Sequence, residues 1–243
     1  QIRGNVKPNK LVMISNVVEA DQCVQYLLRR PKTEMVGLGM IYGRPGLGKT
    51  TYAQRIAFQR NYIYLRLESM TTPKAFSTML LTALYRKFDL GNFIPTGSTN
   101  NLFKLCMQIL DEHPDTVLII DEIDYAYKLD KILGAIRDIV DQTLTIIILV
   151  GMQNAKDRLS QISEHYFDRC NAFYQFKPPT KTDLRLIADE VLDVKVDAAT
   201  IERIFEYSKG SLRRAIKMLH GYENGNLDLS HDMINEPDQD IAP

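Results

Sequence analysis

Met35-Val-Gly-Leu-Gly-Met-Ile-Tyr42 runs directly into Gly43-Arg44-Pro45-Gly46-Leu47-Gly48-Lys49-Thr50-Thr51, and the reading of this stretch decides the fold. The first eight residues are an apolar run that reads as a short buried strand. The residues from Gly43 to Thr50 fit G-x-x-x-x-G-K-[ST]. A helical stretch follows, from Lys49 to about Gln59. Glycines at 43, 46 and 48 let the backbone wrap phosphate oxygens with no Cβ in the way. Successive N–H groups then point into the loop, and the dipole of the following helix adds partial positive charge. Lys49 supplies a full charge at the β/γ-phosphates, and the Thr50 hydroxyl is placed to ligate Mg²⁺. Gly43 to Thr51 are therefore the candidate contacts for a nucleoside triphosphate. The alternative is a chance glycine turn ahead of a surface Lys-Thr pair.

Working outward, strand and helix patterns alternate. Asn16 is placed to cap a helix from Val17 to Arg30, which Pro31 stops. Asn61 to Glu68 alternates and is aromatic-rich, as a strand should be. Pro73 suits a helix start, and a helix to about Phe88 carries Phe76, Leu80, Leu84 and Phe88 on one stripe. A second helix is expected from Thr99 to about Glu112. Thr116 to Asp121 and Leu144 to Gly151 are apolar strands, and Ala172 to Phe176 is a short last one. Helices are expected from about Lys128 to Asp141 and from Asn154 to Ile162. Uninterrupted apolar strands separated by helices predict an α/β domain with a parallel five-stranded sheet. Pro178-Pro179 breaks the pattern. Beyond it, Thr182 to Val191, Ala198 to Ser208 and Ser211 to Gly221 read as three helices, with Thr180, Asp183 and Asp197 supplying caps. The expected organisation is an N-terminal segment (1–33), a nucleotide-binding α/β domain (34–177), a small helical lid (178–222) and an acidic tail (223–243).

The chain has 243 residues, 45% hydrophobic and 25% charged, ordinary values for a globular protein. No apolar run approaches the length of a membrane span. Three scattered cysteines, Cys23, Cys106 and Cys170, form neither a disulfide framework nor a zinc set and suit a reducing cytoplasm. Net charge is zero but uneven. Residues 223–243 hold Glu223, Asp228, Asp232, Glu236, Asp238 and Asp240 and no Lys or Arg, which leaves 30 basic against 24 acidic residues, a net +6, for the body. Such a body can meet a phosphate backbone. A solvated surface with an acidic tail is the plainer reading of the charge alone.

Four further groups carry chemistry. Asp121, at the carboxyl end of a buried strand, is placed to hold Mg²⁺, and Glu122 to orient or deprotonate an attacking water. Taken alone the two acids merely end a strand; after a phosphate loop they read as catalytic. Leu149-Val-Gly-Met-Gln153-Asn154 brings amides to the same sheet edge, where ligands bind in open α/β sheets. Asn154 is the candidate for the γ-phosphate or the water, Gln153 is its rival, and a plain helix cap is the alternative. Arg169, just before the last strand, suits a charge-neutralising role on a transferring phosphoryl group; a surface pair with Asp168 is the alternative. Arg213, in Gly210-Ser-Leu-Arg213-Arg214, opens the last helix and is a candidate nucleotide contact. A solvated arginine pair is its alternative.

Together these stretches resemble the AAA+ ATPase family. A finer similarity is to the transposition ATPases that include the phage Mu B protein, TnsC and IstB; the supporting stretches are Gly43 to Thr50, Ile119-Ile-Asp-Glu-Ile-Asp124, Leu149-Val-Gly151, Phe167-Asp-Arg169, Lys181-Thr-Asp-Leu-Arg-Leu-Ile-Ala188 and Gly210-Ser-Leu-Arg213. The resemblance implies Walker A at Lys49 and Thr50, Walker B at Asp121 and Glu122, sensor 1 at Asn154, an arginine finger serving a neighbouring subunit at Arg169, and sensor 2 at Arg213. It implies ATP with Mg²⁺, assembly with further copies of the chain into a ring or filament, non-specific duplex DNA as ligand, and a transposase as partner. Among the basic residues of the body, Lys177, Lys181 and Arg185 are candidate DNA contacts. Two rivals remain: a helicase loader or replication-initiation ATPase, and a P-loop kinase of a small molecule. The kinase needs no water-activating Glu122.

Overall fold

A computed structural model describes residues 11–92, 94–162 and 168–226. The acidic tail beyond Asn226 and the His165-Tyr-Phe167 stretch lie outside the described residues. Five strands, β1 (Gly37–Tyr42), β2 (Ile63–Arg66), β3 (Val117–Asp121), β4 (Ile146–Gly151) and β5 (Cys170–Gln175), form one sheet in the order β2-β3-β4-β1-β5. All pairs are parallel, as strands joined by helical crossovers must be. β3 and β4 are buried along their whole length, because helices cover both faces. β2 is an edge strand. Its Ile63 and Leu65 are buried, while Tyr64 and Arg66 share the other face.

The helices are α1 (Ser15–Leu28), α2 (Lys49–Gln59), α3 (Pro73–Phe88), α4 (Thr99–Glu112), α5 (Asp130–Gln142), α6 (Ala155–Ile162), α7 (Lys181–Val191), α8 (Ala198–Ser208) and α9 (Leu212–Glu223). Their starts have local causes. Thr72 accepts the Ala75 N–H at 3.2 Å ahead of Pro73, and Ser98 accepts the Asn101 N–H at the same distance. α5 is amphipathic, with Ile132, Leu133, Ile136, Ile139 and Val140 buried at helical spacing.

Three expectations are corrected. Asn16 does not cap α1 but lies inside it. Its amide instead donates to the Lys177 carbonyl (2.7 Å) and accepts the Lys177 N–H (2.9 Å), so the side chain serves a distant backbone. The helix expected from Lys128 begins at Asp130. A 3₁₀ turn, Ile123–Lys128, precedes it, and Leu129 between them has a non-helical backbone (φ −130°, ψ 75°) that interrupts the helix. β5 begins at Cys170, two residues before the expected start, because Cys170 already pairs with Leu38.

The chain forms two compact units. Among the described residues, one comprises 11–19, 44–48 and 176–226; the other comprises 20–43, 49–92, 94–162 and 168–175. In the larger unit, buried Arg30 gathers three chain segments. Its guanidinium donates to the carbonyls of Leu27 (3.1 Å), Met35 (3.0 Å) and Leu144 (3.1 Å), tying α1 to the approaches of β1 and β4. Cys106 and Cys170 are buried thiols, each pushed up to about 12 chiefly by burial, which removes them from thiolate chemistry.

In the smaller unit, α7 to α9 pack through Leu184, Ile187, Ile201, Ile204, Ala215 and Leu219. Asp183 joins the starts of α1 and α7. Its Oδ1 accepts from the Ser15 N–H (2.7 Å) and hydroxyl (2.8 Å), and its Oδ2 from the Thr180 N–H and hydroxyl (both 2.8 Å). Burial alone would raise this carboxyl; the four hydrogen bonds outweigh it and hold the group below the usual aspartate range. A depressed folded value contributes stability above the unfolded value near about 3.9, lost as pH falls through the folded value. Asp183→Asn sets an NH₂ against donors and should cost about 2–3 kcal/mol at pH 7. Urea unfolding should show the gap between wild type and variant narrowing below about pH 4. A gap independent of pH would contradict this role.

Candidate active site

Strand register builds the site. β1 lies beside β4, and β4 beside β3, so Ile41 is level with Val150 and Val150 with Asp121. The chain therefore leaves β1 for Gly43, β3 for Glu122 and β4 for Met152 along one edge of the sheet. This is the carboxyl edge expected to bind ligand.

At that edge Gly43, Gly46 and Gly48 have φ of 153°, 78° and 92°. The last two lie in the region that favours glycine, so the loop backbone requires them there. Lys49 is buried at the start of α2, and its Nζ donates to the Gly43 carbonyl at 2.8 Å. The ammonium is thus held by the carbonyl that follows the strand. Thr50 follows in the first turn, half-buried, whereas Thr51, Arg44 and Pro45 are exposed and Leu47 is buried. Residues 44–48 also meet α9. The Arg213 N–H donates to the Gly46 carbonyl at 2.9 Å. A Cβ on Gly46 would come within 2.9 Å of the Ser211 hydroxyl, and one on Gly48 within 3.0 Å of Leu212. Both glycines thus serve a close packing contact as well as a turn. Arg213 reaches the loop through its backbone; its side chain is exposed.

Asp121 is buried and both its oxygens are engaged: Oδ1 accepts the Glu122 N–H and Oδ2 the Tyr64 hydroxyl, each at 2.8 Å. Glu122 is left-handed (φ 58°, ψ 43°), a costly conformation for a residue with a Cβ and one that clusters at functional sites. Its carboxylate pairs with Arg66 at 3.2 Å. Asp124 accepts the Met152 N–H at 2.7 Å and pairs with Arg158 at 3.7 Å, fixing the turn that leads to Gln153 and Asn154. Tyr64, Arg66 and Asp124 are the site residues that sequence reasoning missed. Tyr64 and Arg66 share a strand face in the sequence pattern, but only the pairing of β2 with β3 brings them to Asp121 and Glu122; Asp124 stands two residues beyond Glu122.

Asn154 is exposed and immediately precedes α6, its carbonyl accepting the Arg158 N–H at 2.9 Å, while Gln153 is half-buried. Arg169 is not near its own loop. It precedes β5, whose first residue pairs with Leu38 at the amino end of β1, so it stands at the opposite edge of the sheet. Its guanidinium pairs with Asp141 (2.8 and 3.0 Å), not with Asp168. Of the suggested DNA contacts, Lys181 pairs with Glu202, Arg185 donates to the Val196 carbonyl, and Lys177 is exposed.

The residues present fit a magnesium nucleotide. Mg²⁺ is held by one or two protein oxygens plus substrate phosphates rather than by a protein cage. Thr50 and Asp121 offer such oxygens, and among the described residues no cluster of three His, Cys, Asp or Glu forms a cage. The caged ammonium of Lys49 marks where an anion would compete with the Gly43 carbonyl.

The AAA domain family model matches residues 34–159. The chain is 25% identical over 205 residues to replication factor C subunit 1 of Saccharomyces cerevisiae, covering 81% of this chain and 22% of that protein. It is 26% identical over 252 residues to the Holliday junction branch migration complex subunit RuvB of Orientia tsutsugamushi strain Ikeda, covering 99% of this chain and 67% of that one. Among solved structures it is similar to the Aeropyrum pernix ORC1 protein in complex with DNA, with a TM-score of 0.64 at 19% identity, covering 90% of this chain and 62% of that chain. The fold is that of a P-loop AAA+ domain. Among the described residues no helix is long and apolar enough to cross a membrane.

Proposed function

We propose that this chain, which belongs to the AAA domain family, hydrolyses ATP as an oligomeric switch acting on DNA, in the manner of a replication-initiation or loader ATPase. The observation that carries the reading is Glu122 beside Asp121 at the strand edge that also bears the Lys49 loop. A phosphoryl acceptor that is water needs a group to orient or deprotonate it, and a small-molecule kinase would not need Glu122 there. The loop N–H groups and Lys49 bind and orient the phosphates. Thr50 and Asp121 hold Mg²⁺, which when bound neutralises charge on the phosphate oxygens. Glu122 takes the proton of the attacking water, which Asn154 helps to position. Arg169 serves the site of a neighbouring copy, and Arg213 contributes from the start of α9.

The relatives named above are a replication factor subunit and a branch-migration complex subunit, and the similar solved structure is an ORC1 protein in complex with DNA, which supports this reading over control of a transposase. The transposition reading keeps the same switch chemistry and differs in partner. A body of net +6 neutralises few phosphates, so one subunit should bind duplex DNA with a Kd on the order of 10⁻⁴ to 10⁻⁶ M. An ATP-closed oligomer sets several copies on one duplex and multiplies weak contacts.

Fluorescence anisotropy at low and moderate salt should therefore show tighter, salt-sensitive, sequence-independent binding with ATP than with ADP. Equal binding with both nucleotides, or none at low salt with ATP, removes the DNA switch and leaves a loader that meets its partner through protein contacts. Electron microscopy with ATP, with and without duplex DNA, should show rings or filaments of the chain; single subunits under both conditions would contradict the oligomeric switch.

A further inference from the structure

The structure assigns Tyr64 a role as positioning residue for the carboxylate of Asp121, holding it in the one rotamer that serves the magnesium nucleotide. This rests on the ATPase reading above. Asp121 is 2% exposed, and among the described residues each of its oxygens has one protein donor: the Glu122 N–H on Oδ1 and the Tyr64 hydroxyl on Oδ2, both at 2.8 Å. A carboxylate offers about four lone-pair sites, so two donors fix its plane and still leave acceptor capacity for a metal or its water. Ligating carboxylates are ordinarily held by such outer partners.

The reach is set by the strands. Tyr64 is level with Ile119 and Arg66 with Asp121, so the phenol extends diagonally along the pair to a residue two places on. The Gln54 amide donates to the Tyr64 oxygen at 3.4 Å from α2, the helix that Lys49 and Thr50 begin. The phenol thus accepts from one side and commits its proton to Asp121 on the other. Packing alone would be served by phenylalanine; the hydroxyl is what phenylalanine lacks.

The test compares wild type, Tyr64→Phe, Tyr64→Leu and Asp121→Asn, each loaded with a non-hydrolysable ATP analogue and titrated with Mn²⁺ by electron paramagnetic resonance. Analogue binding in EDTA is measured alongside. Tyr64→Phe should bind Mn²⁺ about 10-fold more weakly, the loss typical of removing an outer partner, with analogue affinity in EDTA unchanged. In turnover, the Mg²⁺ concentration giving half-maximal rate should rise by the same factor, while the rate at saturating Mg²⁺ stays near wild type. Tyr64→Leu should weaken Mn²⁺ no further than Tyr64→Phe. Unchanged or tighter Mn²⁺ binding in Tyr64→Phe overturns the proposal, and so does weakening confined to Tyr64→Leu, which makes the ring a packing element. Mn²⁺ binding unaffected in Asp121→Asn overturns instead the metal role of Asp121, and the proposal with it.

Discussion

Glu122→Gln protein should bind ATP as wild type does and turn it over about 10²-fold more slowly or worse. The substitution keeps volume and shape, so the left-handed backbone at 122 and the Glu122 N–H bond to Asp121 have no reason to change. What it removes is a carboxylate able to take a proton from water. Arg66, which pairs with that carboxylate at 3.2 Å, would then face a neutral amide; the contact is half-exposed and its loss should cost little stability. Lys49→Ala acts on the other half of the process. Lys49 is buried and bonded to the Gly43 carbonyl, and its charge is what the phosphates meet, so its loss should weaken nucleotide binding itself. Equilibrium binding of a fluorescent ATP analogue, beside phosphate release at saturating ATP, separates the two variants. Wild-type phosphate release from Glu122→Gln would remove the base assignment, whereas ADP formed only when a small-molecule acceptor is added would favour the kinase.

Most of the sheet was legible because parallel strands buried on both faces must be apolar runs, and Val117-Leu-Ile-Ile and Ile146-Ile-Ile-Leu-Val are such runs. The loop was legible because its glycines are local backbone requirements. Partnerships across the fold were not. Asn16 has the composition of a cap, and only the folded chain shows its amide pairing with Lys177. Arg169 was weighed against its neighbour Asp168, but its partner is Asp141, at the end of α5. Tyr64 and Arg66 were read as strand residues and nothing more. Their meaning depends on β2 being the neighbour of β3, and sheet order is not written in the spacing of one chain. Contacts near in sequence could be read from residue type, whereas those made by topology could not.

Arg169→Ala should lower turnover about 10³-fold in the assembled protein, and Lys49→Ala protein should partly rescue it. Arg169 lies at the amino edge of the sheet and Gly43 at the carboxyl edge. The level of Leu38, where β5 starts, is five residues short of Gly43 along the chain, roughly 16 Å at the rise of a strand. An arginine placed there does not serve its own loop, but it can serve the loop of a neighbour packed head to tail, since such contacts bring opposite edges together. Asp141 holds the guanidinium at 2.8 Å and limits the rotamers it must give up on meeting a phosphate.

An interface in the mixture is active only if the loop side comes from an Arg169→Ala subunit and the finger side from a Lys49→Ala subunit. With equal amounts and random assembly, about a quarter of the interfaces meet that condition, so turnover should rise to about a quarter of wild type. The rise should peak near equal amounts and vanish at either extreme, and it should disappear on dilution below the assembly concentration. Phosphate release across mixing ratios reads this directly. If no ratio exceeds the sum of the two variants alone, Arg169 acts within its own subunit or not at all, and its bond to Asp141 is then a surface ion pair worth well under about 1 kcal/mol.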